Sequence, residues 1–233
     1  IMSKDLTRCD ITKMEDSGGP INLDMTYVEH YGTIFALAES VFESDTLWVG
    51  SDDGLVHITR DLGKNWENIT PEELPEWTLI SMIEPSKHNP ATAYLVGTRY
   101  KLNDLQPYLY KTNDYGKTWT PLMNNLPSGS INSFIEHPDN PNTLFVGTEH
   151  SVFVSTNAGS DWAKLGNLPT TAMDDIAIHP REKDLVIGTH GQSVWILDDT
   201  SPLAEWALSD SEQSPHIFSI RDATIFNYKI SSF

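Results

Sequence analysis

Short apolar runs recur along the chain and alternate with polar turns. Four of them share the same character and are predicted as inner strands: residues 34–38, 79–83, 131–135 and 176–178. They are rich in Ile, Leu and Phe, and Gly, Pro and Asn stand in the segments between them, which is typical of β-strands. No long stretch with the helical period of apolar residues competes with this interpretation. The pattern therefore predicts an all-β protein.

A short glycine motif, which we call the landmark, follows each of these runs, and its spacing gives the length of the repeat. It reads Val-Gly or Ile-Gly followed by Ser or Thr, at residues 49–51, 96–98, 146–148 and 187–189. The copies are spaced by roughly 40 to 50 residues, which is the length of a propeller blade with four strands. A third strand is predicted after each landmark, at residues 56–59, 108–112, 152–155 and 193–197. We therefore predict a β-propeller with four-stranded antiparallel blades, of which about four are present.

An eight-residue turn follows the third strand in three repeats, at residues 59–66, 112–119 and 155–162. Each copy reads Ser or Thr, any residue, Asp or Asn, any residue, Gly, two residues and Trp. A short Asx side chain accepts hydrogen bonds from the backbone just ahead, and glycine adopts backbone angles that cost other residues energy. The Trp is predicted to begin the fourth strand, and its large apolar ring anchors the turn. The predicted structural residues are Asp61, Gly63, Trp66, Asp114, Gly116, Trp119, Asn157, Gly159 and Trp162.

The acidic position of this turn favours a structural role over a catalytic or calcium-binding one. Asp61 and Asp114 carry carboxylates, but the third copy has Asn157, which still accepts hydrogen bonds and cannot be a general acid or nucleophile. His137 and His179 each precede a proline at the same place in successive repeats. Turn geometry explains that placement better than a metal pair does.

The turn is the Asp-box, or BNR repeat, of β-propellers such as sialidases, xyloglucanases and sortilin. Three further runs, residues 31–40, 48–56 and 188–199, resemble the sortilin-like (Vps10-type) propellers of large secreted bacterial proteins that are often labelled glycosyl hydrolases. The resemblance covers nearly the whole chain. It implies a larger ring of about seven or more blades, with polypeptide continuing on both sides, and a secreted or periplasmic, cell-envelope location.

The repeats divide the chain into predicted blades at residues 32–76, 77–128, 129–170 and 171–220. The second blade carries an insertion between its second and third strands. The fourth has a degenerate Asp-box, for which we predict a helical turn at residues 204–208 capped by Ser201, and a displaced last strand at residues 216–220. Residues 1–31 are predicted to hold the outer strand of a preceding blade, at residues 1–7, and a connecting loop. Residues 221–233 are predicted to begin a following strand.

The composition limits the kinds of partner that this domain can bind. A net charge of −18 argues against nucleic acid and anionic membranes. No apolar run approaches the length of about 18 residues that a transmembrane helix needs, so no membrane insertion is expected. The single Cys9 cannot form an internal disulfide. No His/Cys/Asp cluster with zinc spacing and no phosphate-binding glycine loop occurs, so neither a metal nor a cofactor is predicted.

Candidate site residues follow from the alternation of strands, which places loops on two sides. Propeller enzymes usually use the side formed by the loops between second and third strands and between blades. The predicted ligand-binding residues there are Trp77, Arg99, Tyr100, Tyr108, Glu149, His150, His190 and Gln192, with Lys101 and Asp104 beside them. The weaker catalytic candidates are Asp52, Asp53, Asp174 and Asp175. The competing interpretation is that each of these residues simply lies in a solvent-exposed loop of an acidic protein.

Three functions remain to be weighed. The preferred one is a non-catalytic binding or scaffold propeller that presents this side to a protein, peptide or polysaccharide, its ring completed by the rest of a parent propeller or another chain. The alternative is a glycoside hydrolase resembling xyloglucanases, which requires opposed carboxylates and aromatic rings in a groove. A sialidase needs three clustered arginines. Only five are present, and Arg60 and Arg181 are predicted on the wrong side.

Overall fold

The fold is almost entirely β-structure. A computed structural model describes residues 3–12, 31–206 and 216–222. In these residues, fifteen strands form four antiparallel sheets, three with four strands and one with three, and a short helix follows the last strand. Neighbouring strands in the sequence are neighbours in each sheet, so every sheet is a simple meander. Within the same residues, no helix is long and apolar enough to cross a membrane.

The strands have the following bounds. Sheet 1 contains β1 (Ile34–Glu39), β2 (Leu47–Ser51), β3 (Val56–Thr59) and β4 (Glu67–Asn68). Sheet 2 contains β5 (Leu79–Pro85), β6 (Ala93–Arg99), β7 (Asp104–Thr112) and β8 (Thr120–Pro121). Sheet 3 contains β9 (Ile131–Glu136), β10 (Leu144–Thr148), β11 (Val152–Ser155) and β12 (Ala163–Lys164). Sheet 4 contains β13 (Met173–Ile178), β14 (Leu185–Thr189) and β15 (Val194–Leu197), and helix α1 (Ser201–Trp206) follows it. Each sheet falls within one predicted blade segment, and the predicted four-stranded antiparallel blade is confirmed in sheets 1 to 3.

Apolar side chains fill the space between successive sheets. Trp48, Tyr94 and Phe145 come from sheets 1, 2 and 3, and each is fully buried in the cluster that its sheet forms with the next one. Successive residues of a strand point to opposite faces. For this reason Leu95, the neighbour of Tyr94, lies in the preceding cluster. Burying a large apolar side chain contributes about 1.5–3 kcal/mol, so these clusters are the main stabilising feature.

The three Asp-box turns share one hydrogen-bond pattern. In the first, Thr59 Oγ1 donates to Asp61 Oδ1 at 2.9 Å and accepts from the N–H of Gly63 at 2.9 Å. The N–H four residues after the acidic position donates back to it, at 2.9 Å in each copy. Asp114 and Asn157 take the place of Asp61 in the other copies. The glycine and the residue before it both have positive φ angles in all three turns, which explains the glycine.

The Asp-box tryptophans of sheets 2 and 3 also join neighbouring sheets. Trp119 Nε1 donates to the carbonyl oxygen of Ile69 at 2.7 Å, and Trp162 Nε1 donates to that of Leu122 at 2.8 Å. Ile69 and Leu122 each follow the last strand of the preceding sheet. The glycine of the turn makes this approach feasible, because a Cβ on Gly116 would lie 2.5 Å from the Ile69 side chain. The turn therefore closes its own hairpin and packs on the sheet before it.

Several predicted element limits are wrong. The fourth strand starts one residue after the Asp-box Trp instead of at it. Helix α1 begins at Ser201, so Ser201 is inside the helix and is not its cap. The start is early because the carbonyl of Thr200 already accepts from the N–H groups of Leu203 and Ala204. Residues 207–208 of the predicted helical turn lie outside the described part.

The predicted last strand at residues 216–220 is also wrong, because these residues form no strand. The carboxylate of Glu205 in α1 holds them instead, contacting His216 Nε2 and Ser219 N at 2.9 Å each. Sheet 4 therefore ends at β15 in the described residues. Residues 3–7 contain no strand either, whereas residues 1–2 of the predicted outer strand and residues 223–233 of the following one lie outside the described part.

Candidate functional site: the loop face

The connections between strands lie on two sides of the sheets, because antiparallel strands alternate in direction. We call the side with the turns between first and second strands, and between third and fourth strands, the joint face: residues 40–46, 60–66, 86–92, 113–119, 137–143, 156–162, 179–184 and 198–200. We call the opposite side the loop face: residues 52–55, 69–78, 100–103, 122–130, 149–151, 165–172 and 190–193. The predicted site residues lie in these loops or in the strands beside them.

Asp52 and Asp53 hold the turn between β2 and β3. Asp52 Oδ1 accepts hydrogen bonds from the N–H groups of Gly32 and Thr33, each at 2.9 Å. Asp53 is 1% exposed, and its carboxylate accepts from the N–H of Arg8 at 2.7 Å. Burial raises the pKa of Asp52, and the two backbone hydrogen bonds oppose that rise. Both carboxylates thus fix neighbouring segments of the chain.

A cluster of aromatic and cationic groups surrounds Trp77. The Trp77 backbone has a φ of 62°, which is an outlier for a bulky residue. Its ring meets that of Tyr31 edge-on, with centroids 5.2 Å apart, and the Arg8 guanidinium lies 5.7 Å from the indole centroid. Lys101 Nζ lies 5.9 Å from the Tyr31 ring, and Glu76 pairs with Arg8 at 3.3 Å. These contacts bring together residues 8 and 31 with the loops of sheets 1 and 2.

Arg99 links this cluster to the insertion in sheet 2. Its Nε lies 3.0 Å from Asp104 Oδ2, and its Nη1 donates to the carbonyl oxygen of Glu76. Tyr108 donates its hydroxyl proton to Asp104 Oδ2 at 2.6 Å. Burial, together with the Asp104 carboxylate, raises the pKa of Tyr108 to about 12. The Tyr108 ring is only 8% exposed and packs in the core between sheets 1 and 2, whereas Tyr100 is 47% exposed.

The loop face of sheets 3 and 4 is more open. His190 Nδ1 lies 3.1 Å from Asp174 Oδ2, and both side chains are largely in solvent. The backbone of His190 is fixed because its N–H donates to the carbonyl of Ala172 at 2.9 Å. The other predicted residues of this half are exposed: Glu149, His150, Asp175 and Gln192.

Two grooves also flank the sheets. One, of about 580 Å³, lies between the outer strands of sheets 1 and 2. Its lining includes Glu67, Glu72, Glu73, Tyr110 and Trp119. The other, of about 390 Å³, lies along sheet 2, and its lining includes Pro107, Tyr108, Met123 and Leu126. Sequence patterns do not reveal either groove, because each is formed by residues far apart in the chain.

The predicted residues therefore separate into two groups. Asp52, Asp53, Trp77, Arg99 and Lys101 are brought together, and three residues that the sequence did not single out connect them: Arg8, Tyr31 and Glu76. The sheet 3 and 4 residues share no described contact with that group. The described residues contain no set of three or more His, Cys, Asp or Glu side chains arranged to hold a metal ion.

Comparison with known proteins supports the fold. The family profile described as Sortilin, neurotensin receptor 3 matches residues 107–210. No curated protein matches the chain. The resemblance to sortilin-like propellers is therefore confirmed over that segment.

Solved structures share the fold over a larger part of the chain. The GH74 xyloglucanase from Xanthomonas campestris is 14% identical with a TM-score of 0.54, over 79% of this chain and 31% of its own. A GH74 enzyme from Niastella koreensis is 14% identical with a TM-score of 0.52, over 68% and 26%. A protein described as the extracellular domain of a one component system from B. thetaiotaomicron is 13% identical with a TM-score of 0.55, over 71% and 21%. The chain spans from about a fifth to a third of these structures, and at such identities the likeness establishes the fold, that of part of a β-propeller.

Proposed function

We propose that this part of a β-propeller is a non-catalytic binding module whose loop face takes up a protein, peptide or glycan ligand. The observation that carries the proposal is the strained backbone of Trp77 at the centre of an aromatic and cationic cluster. A bulky residue in the left-handed region costs about 1–3 kcal/mol, and such strain gathers at binding sites. Leu62 and Tyr115 share this conformation inside the structural Asp-box turns, so the strain supports a binding role at Trp77 only together with the rings and cations around it.

The chemistry of the cluster favours a ligand that is partly flat and partly anionic or hydroxylated. Tyr100 is 47% exposed and offers an apolar face on which a sugar or aromatic group can stack, and the partly buried Trp77 ring lies in the same region. Lys101 and Arg99 supply donors for carboxylate or hydroxyl oxygens. These basic groups stand out in a chain of net charge −18. Asp52, Asp53, Glu76 and Asp104 stand beside them, so the attraction that they offer is a local one, for a ligand oxygen that reaches Lys101 or Arg99.

The glycoside hydrolase alternative has weaker support. Asp52 and Asp53 are engaged by backbone donors. Asp174 and Asp175 are both exposed beside a β-bulge in β13, and the Asp174 carboxylate is paired with His190. A retaining or inverting mechanism needs two carboxylates facing one bond. Binding without hydrolysis is the simpler use of this face.

Partners and location belong to the same proposal. Besides the ligand, we expect further blades, from a parent polypeptide or from another chain, to complete the ring. A secreted or periplasmic, cell-envelope location follows from the resemblance to secreted bacterial propellers. It agrees with the extracellular domain among the similar structures.

The test uses two probes, immobilised xyloglucan and a displayed random-peptide library. We expect one of them to be retained by the wild-type chain, and the double variant Trp77→Ala, Tyr100→Ala to lose retention by at least about tenfold, since a stacking aromatic contributes about 0.5–1.5 kcal/mol beyond its area. Leu62→Ala, a change at a residue of the joint face that is 51% exposed, is the matched control. Retention that survives the double variant would contradict the proposed face. Release of reducing ends from xyloglucan would favour the hydrolase instead.

A further inference from the structure

The groove of about 580 Å³ between the outer strands of sheets 1 and 2 has an acidic rim. Three exposed carboxylates line it, those of Glu67, Glu72 and Glu73. None of the three forms an ion pair or a hydrogen bond within the described part of the chain. Lys117, from the Asp-box turn of sheet 2, is the one cation of the described lining, and it pairs with none of them. The groove therefore presents an excess of negative charge.

The floor of this groove is apolar and held in place by the joint between the two sheets. Ile69 is 5% exposed, and the partly buried Trp119 donates its indole N–H to the Ile69 carbonyl oxygen at 2.7 Å. Both residues line the groove. Its volume lies within the range of about 300–1,000 Å³ that is usual for ligand sites. A preformed concave surface thus lies beneath the acidic rim.

A buried tyrosine hydroxyl in this groove has no hydrogen-bond acceptor. Sheet 2 buries three tyrosines, and two of them donate to a carboxylate: Tyr94 to Glu136 at 2.9 Å and Tyr108 to Asp104 at 2.6 Å. The third, Tyr110, is 3% exposed and lines the groove, but its hydroxyl forms no hydrogen bond with any described residue. Buried polar groups are normally hydrogen-bonded. The hydroxyl of Tyr110 is therefore available to a ligand in the groove.

The charge around Tyr110 keeps that hydroxyl protonated. Burial raises the pKa of Tyr110, and the Glu73 carboxylate adds to the rise. At neutral pH the oxygen of Tyr110 therefore accepts a hydrogen bond from a cationic donor while its own proton remains available to an acceptor.

We propose that this groove binds the arginine side chain of a partner peptide. A guanidinium donates paired hydrogen bonds to carboxylates, here Glu72 and Glu73, and a further N–H meets the Tyr110 oxygen. Its flat, weakly hydrated face also packs on aromatic rings such as that of Trp119, which a lysine ammonium does less well. The rest of the groove holds the neighbouring peptide residues. No residue of the cluster around Trp77 lines this groove, so the inference goes beyond the loop-face proposal.

The test must separate this site from general attraction, because a chain of net charge −18 draws cations to its whole surface. The probe is a short Gly/Ser peptide with one central arginine and an uncharged fluorescent label, and binding to the 233-residue chain is measured by fluorescence polarisation. We expect binding at protein concentrations up to about 1 mM. The same peptide with citrulline, a neutral analogue of arginine, should bind at least about tenfold more weakly. The lysine peptide should bind at least about threefold more weakly.

Three variants of the groove should change this affinity in different directions. The double variant Glu72→Gln, Glu73→Gln should weaken binding at least about tenfold, because it removes the carboxylate acceptors. Tyr110→Phe keeps the ring and removes only the hydroxyl, so it should weaken binding at least about fivefold without lowering stability to urea. Lys117→Gln removes the cation of the described lining and should tighten binding.

A matched control removes two carboxylates elsewhere on sheet 1. The double variant Glu39→Gln, Asp45→Asn changes exposed residues at the end of β1 and in the turn after it, and neither lines the groove. It should leave the affinity within about twofold of the wild type. An equal loss in this control and in the groove variant would show that the peptide binds by net charge alone, and this result overturns the proposal.

Three other results also overturn it: no binding of the arginine peptide at about 1 mM, equal binding of the citrulline or lysine peptide, or an unchanged affinity in Tyr110→Phe. Retention of immobilised xyloglucan and of the displayed peptides that depend on Trp77 and Tyr100 is measured on the same groove variants. The two sites share no residue, so failure at the groove is distinguishable from failure of the loop-face proposal.

Discussion

The joint face and the loop face use polar side chains in opposite ways. On the joint face, Glu136 at the end of β9 is 0% exposed, and its carboxylate accepts from the Ser86 hydroxyl at 2.8 Å, the Lys87 N–H at 2.8 Å and the Tyr94 hydroxyl at 2.9 Å. All three donors belong to the preceding sheet. On the loop face, candidate residues such as His190 are largely in solvent. The comparison teaches that the joint face ties sheets 2 and 3 together through a buried carboxylate, whereas the loop face of sheets 3 and 4 leaves its groups open to solvent. On the loop face of sheet 1, Asp52 and Asp53 instead hold segments of the same chain.

The largest expected effect comes from removing the buried carboxylate of Glu136. Glu136→Leu leaves Ser86, Lys87 and Tyr94 without their acceptor. Each unsatisfied buried donor costs about 1–3 kcal/mol, so we expect the free energy of unfolding to fall by about 3 kcal/mol or more. Urea denaturation followed by tryptophan fluorescence measures this change.

The matched control for this substitution lies in sheet 1. Glu39 pairs with Leu47 as Glu136 pairs with Leu144, but Glu39 is exposed at the end of its strand. Glu39→Leu should change the free energy of unfolding by no more than about 0.5 kcal/mol. Equal losses at the two positions would show that the buried network does not hold sheets 2 and 3 together.

The Asp-box turns should give the next largest effect. Asp114→Ala removes the acceptor for the Thr118 N–H at 2.9 Å and the Thr118 hydroxyl at 2.6 Å. Hydrogen bonds to a charged group contribute about 1.5–3 kcal/mol, and exposure of this turn lowers the figure, so we expect a loss of about 1–2 kcal/mol by urea denaturation.

Asp114→Asn tests whether the charge or the acceptor matters. Asn157 occupies the same place in the third turn and accepts from Asp161 N at 2.9 Å. The Asn variant should therefore lie within about 0.5 kcal/mol of the wild type. A loss as large as that of the Ala variant would show that the carboxylate itself is needed, against the structural interpretation.

A pH dependence should also arise from the joint face. His137 is 0% exposed, its Nδ1 accepts from the N–H of Asp139 at 3.1 Å, and its Nε2 lies 3.1 Å from the Thr200 hydroxyl oxygen. A backbone N–H can only donate, so the ring is neutral with its proton on Nε2. Burial lowers the pKa of His137 below its ordinary value of 6.5, the nearby Asp139 opposes this, and Lys183, His88 and Lys87 add to it. Burial likewise lowers the pKa of His57.

The direction of this pH dependence follows from the number of protons that the folded and unfolded states bind. Between the lowered pKa and 6.5 the unfolded chain binds more protons than the folded one, so stability falls as the pH falls through this window. The slope is at most about 1.4 kcal/mol per pH unit for each histidine. His137→Gln should reduce the slope of the unfolding free energy against pH. The control is His179→Gln, at the corresponding but exposed position of sheet 4, which should leave that slope unchanged. Equal slopes in the wild type and both variants would contradict the assignment.

Repeats and turn chemistry made the fold predictable from sequence. The Val-Gly landmarks and Asp-boxes are local patterns, and a strand or turn that depends on a few adjacent residues can be inferred from them. The buried Glu136 was not predictable, because a charged residue at the end of a strand normally indicates a solvated position. The Ser86 hydroxyl that donates to its carboxylate lies 50 positions away in the sequence, and no local pattern indicates such a contact.

The candidate site shows the same limit. Trp77 and Arg99 could be assigned to the loop face from strand alternation, and the structure brings them together. The parts played by Arg8 and Tyr31 depend on how residues 3–12 and 31–33 cross to the turn of Asp52 and Asp53. Tyr108 was predicted as a ligand-binding residue, but it is 8% exposed and packs in the core between sheets 1 and 2.

The smallest predicted effect separates strain from contact at Trp77. Glycine adopts a φ of 62° without penalty, whereas alanine does not. Trp77→Gly and Trp77→Ala lose the same packing against Tyr31 and Arg8, so the difference between them reports the backbone alone. We expect the Gly variant to be more stable than the Ala variant by about 0.5–1 kcal/mol in urea denaturation.

The same pair of variants sharpens the comparison of the two faces. If both lose retention of the ligand probe equally, then the indole ring, and not the loop conformation, is what the ligand requires. The chain would then keep a strained residue for binding, in contrast to Glu136, whose every contact serves stability. If instead Trp77→Ala is the more stable variant, the loop relaxes out of the left-handed region once the ring is removed. Packing of the ring would then be the cause of the strain, and the conformational argument for the loop face would be lost.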